Sequence, residues 1–430
     1  MSKFQLIVLG IFVLFIVAGV VSFATYKGSS SDTQLPTITM WGTFPESTFN
    51  TYINSINQTL AQSIDVTYTQ KTPAQFSGDF VAALARGQGP DAILITADML
   101  LPHLDKLSLI PFSALPQRTF QDTYIQEGEI YYSNGGVLGI PFVIDPLVMY
   151  WNRDTFSAAG LATYPRTWED FTELNKRLTS KDENGNLRKS AVALGDFTNV
   201  NNAREIFGAL LFQIGNPVTR TNSDGMVEST IRTNYSANPT SVVDFFTKFI
   251  DPSGTSYSWN RGMPQSKSAF LSGMLSTYFG FASELGDIRE KNQNLNFDVA
   301  PFPQVKTGGK KATYGKMYGF SITNASDKQN SVYQVISLLT NPTYLADLSA
   351  KMYLPSVNRT IIARGSSDQY ISIFNETVLV AKTWFDVDPE KSRQLFGTMI
   401  DNVTSGRKTV YESIQDTGDQ YDILLRQIYQ

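Results

Sequence analysis

The side chains that could do chemistry in this chain are carboxylates and aromatic rings. There is no cysteine and a single histidine, His103, in 430 residues. A thiol nucleophile, a disulfide framework, a zinc finger, a histidine-pair metal site and an iron–sulfur cluster are therefore excluded. A metal held by carboxylates alone would need an acidic cluster of the EF-hand type, and the sequence contains none. The net charge of -4, without a basic stripe, argues against a dedicated nucleic-acid binder. The 28 Phe, 20 Tyr and 5 Trp remain, and either they mostly pack cores or some of them line a site with their flat faces.

Position sorts these candidates. Trp41 ends the first expected strand and is followed by Gly42 and Thr43. In an open α/β sheet, the carboxyl ends of the strands face the ligand crevice, which makes Trp41 and Thr43 candidates for ligand contact, with core packing as the alternative for Trp41. Asp145 is flanked by Val143, Ile144, Pro146 and Leu147. A carboxylate among apolar neighbours needs a partner, either a pair of ligand hydroxyls or a backbone amide. Asp98 follows the third expected strand and could meet a ligand or serve as a helix N-terminal charge. Trp151 and Trp168 read as packing residues, whereas Trp259 and Trp384 sit in more polar settings and could do either. His103, next to Pro102, reads as a packing or surface residue and not as a catalytic base.

The elements that must hold these residues alternate in type. Residues 38–41 read as a strand, and Phe49, Ile53, Ile56 and Leu60 recur at helical spacing. Residues 65–69 form a second strand, Phe76, Phe80, Val81 and Leu84 a second helical face, and residues 91–95 a third strand after the Gly87-Gln88-Gly89-Pro90 turn. This alternation predicts a parallel sheet with helices on its faces. Residues 139–143 and 147–151 read as two further strands, and 167–180 as a helix capped by Thr167 with Asp170 three positions on. Beyond residue 188 the pattern predicts a mainly helical chain, with helices at 242–250, 332–339, 344–352, 371–385 and 391–405. Thr409 and Glu412 form a capping box for a last helix. At the other end, residues 6–25 are almost all apolar, long enough to cross a bilayer as an uncleaved anchor. Ser22-Phe23-Ala24 offers the rival reading, cleavage after Ala24 and secretion. Residues 28–36 then read as a flexible linker.

Five segments resemble the extracellular solute-binding proteins of ABC importers, in the branch that includes the maltose-binding proteins. They are Gly87-Gln88-Gly89-Pro90-Asp91-Ala92-Ile93; Gly139-Ile140-Pro141-Phe142 with Asp145 and Tyr150-Trp151-Asn152-Arg153-Asp154; Pro165-Arg166-Thr167-Trp168-Glu169-Asp170; Ala269-Phe270-Leu271-Ser272-Gly273 with residues 298–303, Gly315 and Gly319; and Ser405-Gly406-Arg407-Lys408-Thr409-Val410. Each is weak alone, but their order and spacing span residues 37–430. The resemblance implies an α/β fold of two lobes that closes like a clamp on a ligand, with hinge crossovers between them. Lobe I would comprise residues 37–143 and 318–358, lobe II residues 148–313 and 359–430.

The resemblance also implies a role for particular residues. Asp98 and Asp145 fall where such relatives place carboxylates that grip sugar hydroxyls. Tyr278 and Phe281 follow a stretch where many relatives carry a stacking tryptophan that this chain lacks. Tyr318, between Gly315 and Gly319, would lie at the second crossover and either touch ligand or shape the hinge. Arg393 stands near a position where the maltose-binding proteins carry an aromatic, so their specificity does not transfer. The ligand-contact set is then Trp41, Thr43, Asp98, Asp145, Tyr278, Phe281, Tyr318 and Trp384, with no catalytic residue, metal or cofactor. The function implied is a membrane-tethered monomer that captures a carbohydrate by hinge closure and passes it to permease subunits, without nucleic acid as a partner. Two alternatives belong to other classes: a glycoside hydrolase using Asp98 and Asp145 as its acid–base pair, and a ligand sensor coupled to a signalling partner.

Overall fold

The computed structural model describes residues 36–60, 64–233 and 236–429. The expected membrane anchor at residues 6–25 lies outside them, as does nearly all of the linker. Among the described residues, no helix is long and apolar enough to cross a membrane.

Strand Ile38–Gly42 lies between Val66–Gln70 and Ala92–Thr96 and runs parallel to both, as the alternation of strands and helices predicts. Ala92–Thr96 is buried along its whole length, as a strand covered on both faces must be. Helix Glu46–Asn57 turns Phe49, Tyr52, Ile53 and Ile56 to the core, and helix Pro73–Ala85 turns Phe76, Phe80 and Ala83. The proline that opens the second helix has no amide hydrogen to leave unpaired there.

Residues 139–151, expected as two strands, form a single strand, Ile140–Asn152, buried at all 13 positions. Pro146 does not break it, because the strand opposite, Thr313–Ile322, runs antiparallel beside it with Gly315 facing Pro146. These two strands connect two hydrophobic cores. Ile140, Phe142, Val143, Ile144, Met317, Phe320 and Ile322 belong to the first core. Leu147, Val148, Met149, Tyr150, Trp151 and Tyr314 belong to the second. The result is a two-lobe α/β architecture with a shared sheet running through the waist.

Three expectations about local structure need correction or addition. Beyond residue 188 helices predominate, as expected, but the chain also contributes strands Leu187–Val192, Leu275–Phe281, Phe297–Ala300 and Thr313–Ile322, among others. All seven residues of Leu275–Phe281 are buried, so the segment lacks the alternation that marks a half-exposed strand. The helix expected at 371–385 ends at Val378, and Ala381–Lys382 instead pairs in parallel with Thr313 and Tyr314. The helix expected from Thr167 starts at Asp170 without a side-chain cap, although the Asp170 carboxylate accepts the amides of Arg166 and Thr167. The Thr409–Glu412 capping box is formed in both directions.

The waist owes its fit to two glycines. The ring of Tyr131 lies against Gly139, just before the first crossover strand, and Gly319, on the second, and a Cβ at Gly139 would come within 2.5 Å of the ring. A Cβ at Gly319 would overlap the Tyr131 hydroxyl. Gly319→Ala is accordingly expected to cost about 1–3 kcal/mol in urea unfolding, the usual range for overpacking a rigid site. Gly286→Ala, on an open helix surface with nothing within 4 Å, is the control and leaves stability unchanged or slightly higher.

Candidate ligand-binding site

Building from the strand ends, Trp41 lies at the carboxyl end of its strand, half-buried, with the Lys71 ammonium 4.4 Å above the ring. The Thr43 amide donates to Leu94 O at 3.1 Å, and its Oγ1 is buried without a hydrogen-bond partner in the chain. An unpaired buried hydroxyl costs about 1–3 kcal/mol. Phe44, next along, meets the ring of Tyr318 edge-on at 5.3 Å. Tyr318 sits on the second crossover strand, so the strand ends and the waist meet at this contact.

Asp145 lies on the first crossover strand, opposite Lys316 on the second. Its carboxylate, 5% exposed, accepts the Ser283 amide at 3.0 Å and the Ser283 hydroxyl at 2.6 Å. The backbone amide expected as one possible partner is therefore present. Burial pushes the Asp145 carboxyl up to about 6, against the opposing pull of Lys316 and Ser283. The Lys316 ammonium stands 3.7 Å over the face of Phe281. Burial, then the nearby Asp145 and Asp98 carboxylates, raise the Tyr318 hydroxyl, which stays protonated. Asp145, Lys316, Phe281 and Tyr318 thus form one group on the waist.

A second group gathers around Arg204, which is 2% exposed near the start of helix Ala203–Gln213. Its guanidinium donates to Asp386 at 2.6 Å, Glu205 at 3.0 Å, the Ser392 hydroxyl at 2.8 Å and Asp98 at 3.4 Å. Asp98 also accepts the Tyr314 hydroxyl at 3.0 Å, and its carbonyl accepts the Asp386 amide at 3.2 Å. The Trp384 ring lies 4.3 Å from the guanidinium and donates from Nε1 to the Tyr421 hydroxyl at 3.3 Å. Burial opposes the charge on Arg204, but Asp386, Tyr314, Glu205 and Asp98 outweigh it, so the guanidinium remains ionised. The neighbours of Asp98 in sequence pack in the first core and those of Arg204 in the second. This network joins the lobes.

The structure therefore brings Asp145, Phe281 and Tyr318 together through Lys316, and Asp98 and Trp384 together through Arg204. Trp41 and Thr43 adjoin the first group through Phe44. Tyr278 stands apart, its ring stacked between Tyr150 at 6.1 Å and Phe270 at 5.8 Å, with its hydroxyl donating to Glu284 at 2.9 Å. Asp98 makes no helix-cap bond. Trp259 is fully buried and donates to Asn199 at 2.8 Å, which makes it a packing residue. Trp151 and Trp168 also lie in the core. Arg393 donates to Phe197 O at 2.7 Å. His103 packs between Phe76 and Phe80, and burial, followed by Lys106, lowers its pKa to about 4, so it is neutral. Among the described residues, no cluster of three acidic or histidine side chains is arranged to hold a metal ion.

Sequence reasoning missed Arg204, Asp386, Lys316 and Ser283. The signal for Arg204 was present: Arg204 and Glu205 are the only charged residues at the head of an otherwise apolar helix, AREIFGALLFQ. Lys316 sits between Gly315 and Gly319 in a strand that is otherwise uncharged.

The raised Asp145 pKa has a definite consequence for stability. Between the ordinary value of 3.8 and about 6, the folded chain holds a proton that the unfolded chain has released. Stability from this group is full below pH of about 4 and is lost as pH rises to about 6, on the order of 2–3 kcal/mol. Asp145→Asn should lack this component, so the wild-type-minus-variant difference in urea-unfolding free energy should fall across that window and be flat above it.

Residues 51–372 match the model of a family described as bacterial extracellular solute-binding protein. The chain is also similar to the maltodextrin-binding protein MdxE of Bacillus subtilis (strain 168), 24% identical over 285 residues, which cover 63% of this chain and 61% of that protein. The match thus spans under two thirds of the relative's length. Among solved structures, the sugar-binding protein MalE of Xanthomonas citri shares the fold with a TM-score of 0.73 at 16% identity, covering 91% of this chain and 98% of that one. The cyclic alpha-maltosyl-1,6-maltose binding protein of Arthrobacter globiformis does so with a TM-score of 0.73 at 17% identity, covering 91% and 99%. With about three quarters of its length inside the family's model, the chain belongs to the bacterial extracellular solute-binding proteins.

Proposed function

We propose that this protein is the extracytoplasmic solute-binding component of an ABC importer, that its solute is an oligosaccharide, and that it passes this solute to a membrane permease. The observation that carries the reading is the gathering of rings and carboxylates around the two strands that cross between the cores, where Asp145 and Tyr318 sit on those strands and Phe281 packs against Lys316 of one of them. A ligand touching Trp41 and Thr43 on one side and the Phe281 and Trp384 region on the other contacts both lobes only when they are together. Its binding energy then shifts the open–closed equilibrium. Lobe I comprises residues 37–143 and 318–358, and lobe II residues 148–313 and 359–430. Trp41, Thr43, Asp98, Asp145, Phe281, Tyr318 and Trp384 are the contact residues, with Tyr278 supporting them from the core. The similarity to a maltodextrin-binding protein and to a cyclic alpha-maltosyl-1,6-maltose binding protein agrees with a carbohydrate.

The protein works as a monomer, tethered by residues 6–25, which places the binding domain near the permease at a high effective concentration. It is a carrier and not a hydrolase. Asp98 is engaged by Tyr314 and Arg204 and Asp145 by Ser283, so neither carboxylate is set up as a general acid or base.

Calorimetry with a panel of maltooligosaccharides and mannooligosaccharides tests the reading. At least one should bind with 1:1 stoichiometry, and Trp41→Ala should weaken it about tenfold, the loss of one stacking contact. Bound sugar should be recovered intact after long incubation. Absence of binding across the panel would sink the carbohydrate assignment, and cleaved product would sink the carrier assignment.

A further inference from the structure

Lys316 lies directly opposite Asp145 on the paired crossover strands, so the two side chains share one face of the sheet. Their charges are opposite, and the flexible stem of the lysine can swing its ammonium towards the carboxylate. The ammonium sits elsewhere. It stands over the face of Phe281, 3.7 Å from the ring centre. Phe281 is buried beneath it, whereas Lys316 itself is partly exposed, so the lysine is what lies between this ring face and solvent. A cation over an aromatic face is held by the ring quadrupole, and the C–H face of a sugar would use the same surface. Both cannot occupy it together.

The groups that face Asp145 leave the lysine one obvious destination. Ser283 donates its amide and hydroxyl to the carboxyl, and the next residue, Glu284, is already engaged by Lys267 at 2.7 Å, the Tyr278 hydroxyl at 2.9 Å and the Phe281 amide at 2.8 Å. Arg289, on the same helix, donates to the Tyr353 hydroxyl at 3.0 Å. Tyr318 on the second crossover strand and Tyr150 on the strand of Asp145 stay in the neutral phenol form, held there first by burial. Lys316 is the cation that favours ionised Asp145, against the burial that pushes this carboxyl up to about 6.

We infer that Lys316 is a charge gate on the stacking face: a sugar that takes the Phe281 ring moves the ammonium across the strand pair to Asp145, and the site gives up a proton to solvent as it fills. This rests on Phe281 being a contact of the proposed carbohydrate site. Below about pH 6 the empty protein holds the Asp145 proton, and an ammonium brought beside the carboxyl favours its release. Affinity therefore rises with pH up to about 6 and is level above it.

The test has two parts, both on the full chain. The Asp145 carboxyl is first titrated by carbon NMR without sugar, with Asp145→Asn to assign its resonance and urea unfolding to show that each variant is folded. The midpoint should lie near pH 6 in the wild type, fall to about pH 5 or lower in Phe281→Leu, where the ammonium has no ring to cover, and rise in Lys316→Met. Calorimetry then follows the tightest-binding member of the maltooligosaccharide and mannooligosaccharide panel in buffers of different ionisation enthalpy. At pH 5 the wild type should release about one proton per sugar and bind about tenfold more weakly than at pH 7. Lys316→Met should abolish both effects. Sugar binding without proton release, or a midpoint that does not move in Phe281→Leu, overturns the inference and leaves the proposed function standing. No binding across the panel at either pH overturns both.

Discussion

The antiparallel pairing of Ile140–Asn152 with Thr313–Ile322 is the constraint on which the rest depends. Each strand begins in one core and ends in the other, so their ladder must hold at the waist and still permit the lobes to move. Glycine at 315, opposite Pro146, and a register shift between Tyr318 and Gly319 relieve the regular pleat there. Asp145 and Lys316 sit within this ladder as a directly opposed pair. Opposite charges across a strand pair are favourable, and these two lie at the waist between the cores.

Arg204 makes a different kind of connection. Its charge is costly to bury and is tolerated because Asp386, Glu205, Asp98 and the Ser392 hydroxyl occupy its donors. Asp386 and Ser392 share its lobe, whereas Asp98 comes from the other. Separation of the lobes would therefore leave Arg204 with most of its partners and Asp98 with fewer. A charge pair of this type contributes little net stability but makes one arrangement distinct from others. In contrast, the Glu127 pair with Lys382 anchors the short segment that returns from the second core to the waist, where Ala381–Lys382 adds a third strand beside Thr313 and Tyr314.

The sequence was most legible where a local signal agreed with the fold. The first three strands and two helices, the Gly87–Pro90 turn and the Thr409 capping box follow from periodicity and turn chemistry. Leu275–Phe281 and the unbroken Ile140–Asn152 were harder because fully buried strands have no polar face to reveal their period. At the site, Asp145 was legible as a carboxylate in need of a partner, but Ser283 as that partner was not. The two are 138 positions apart, and only the fold brings them together. Arg204 was missed for the same reason. A charged residue at the head of a helix reads as solvated until partners from Asp98 to Ser392 close around it.

The placement of Trp384 gives the molecule an optical property. The energy of indole emission depends on the electric field across the ring, and here a guanidinium lies 4.3 Å away, itself paired with two carboxylates. Arg204 and Asp386 travel with the ring, but Asp98 belongs to the opposite lobe. Any change in lobe separation alters one negative charge in that local field while leaving the others in place. Of the five tryptophans, Trp384 is therefore the one whose surroundings include a charge carried by the opposite lobe through Arg204.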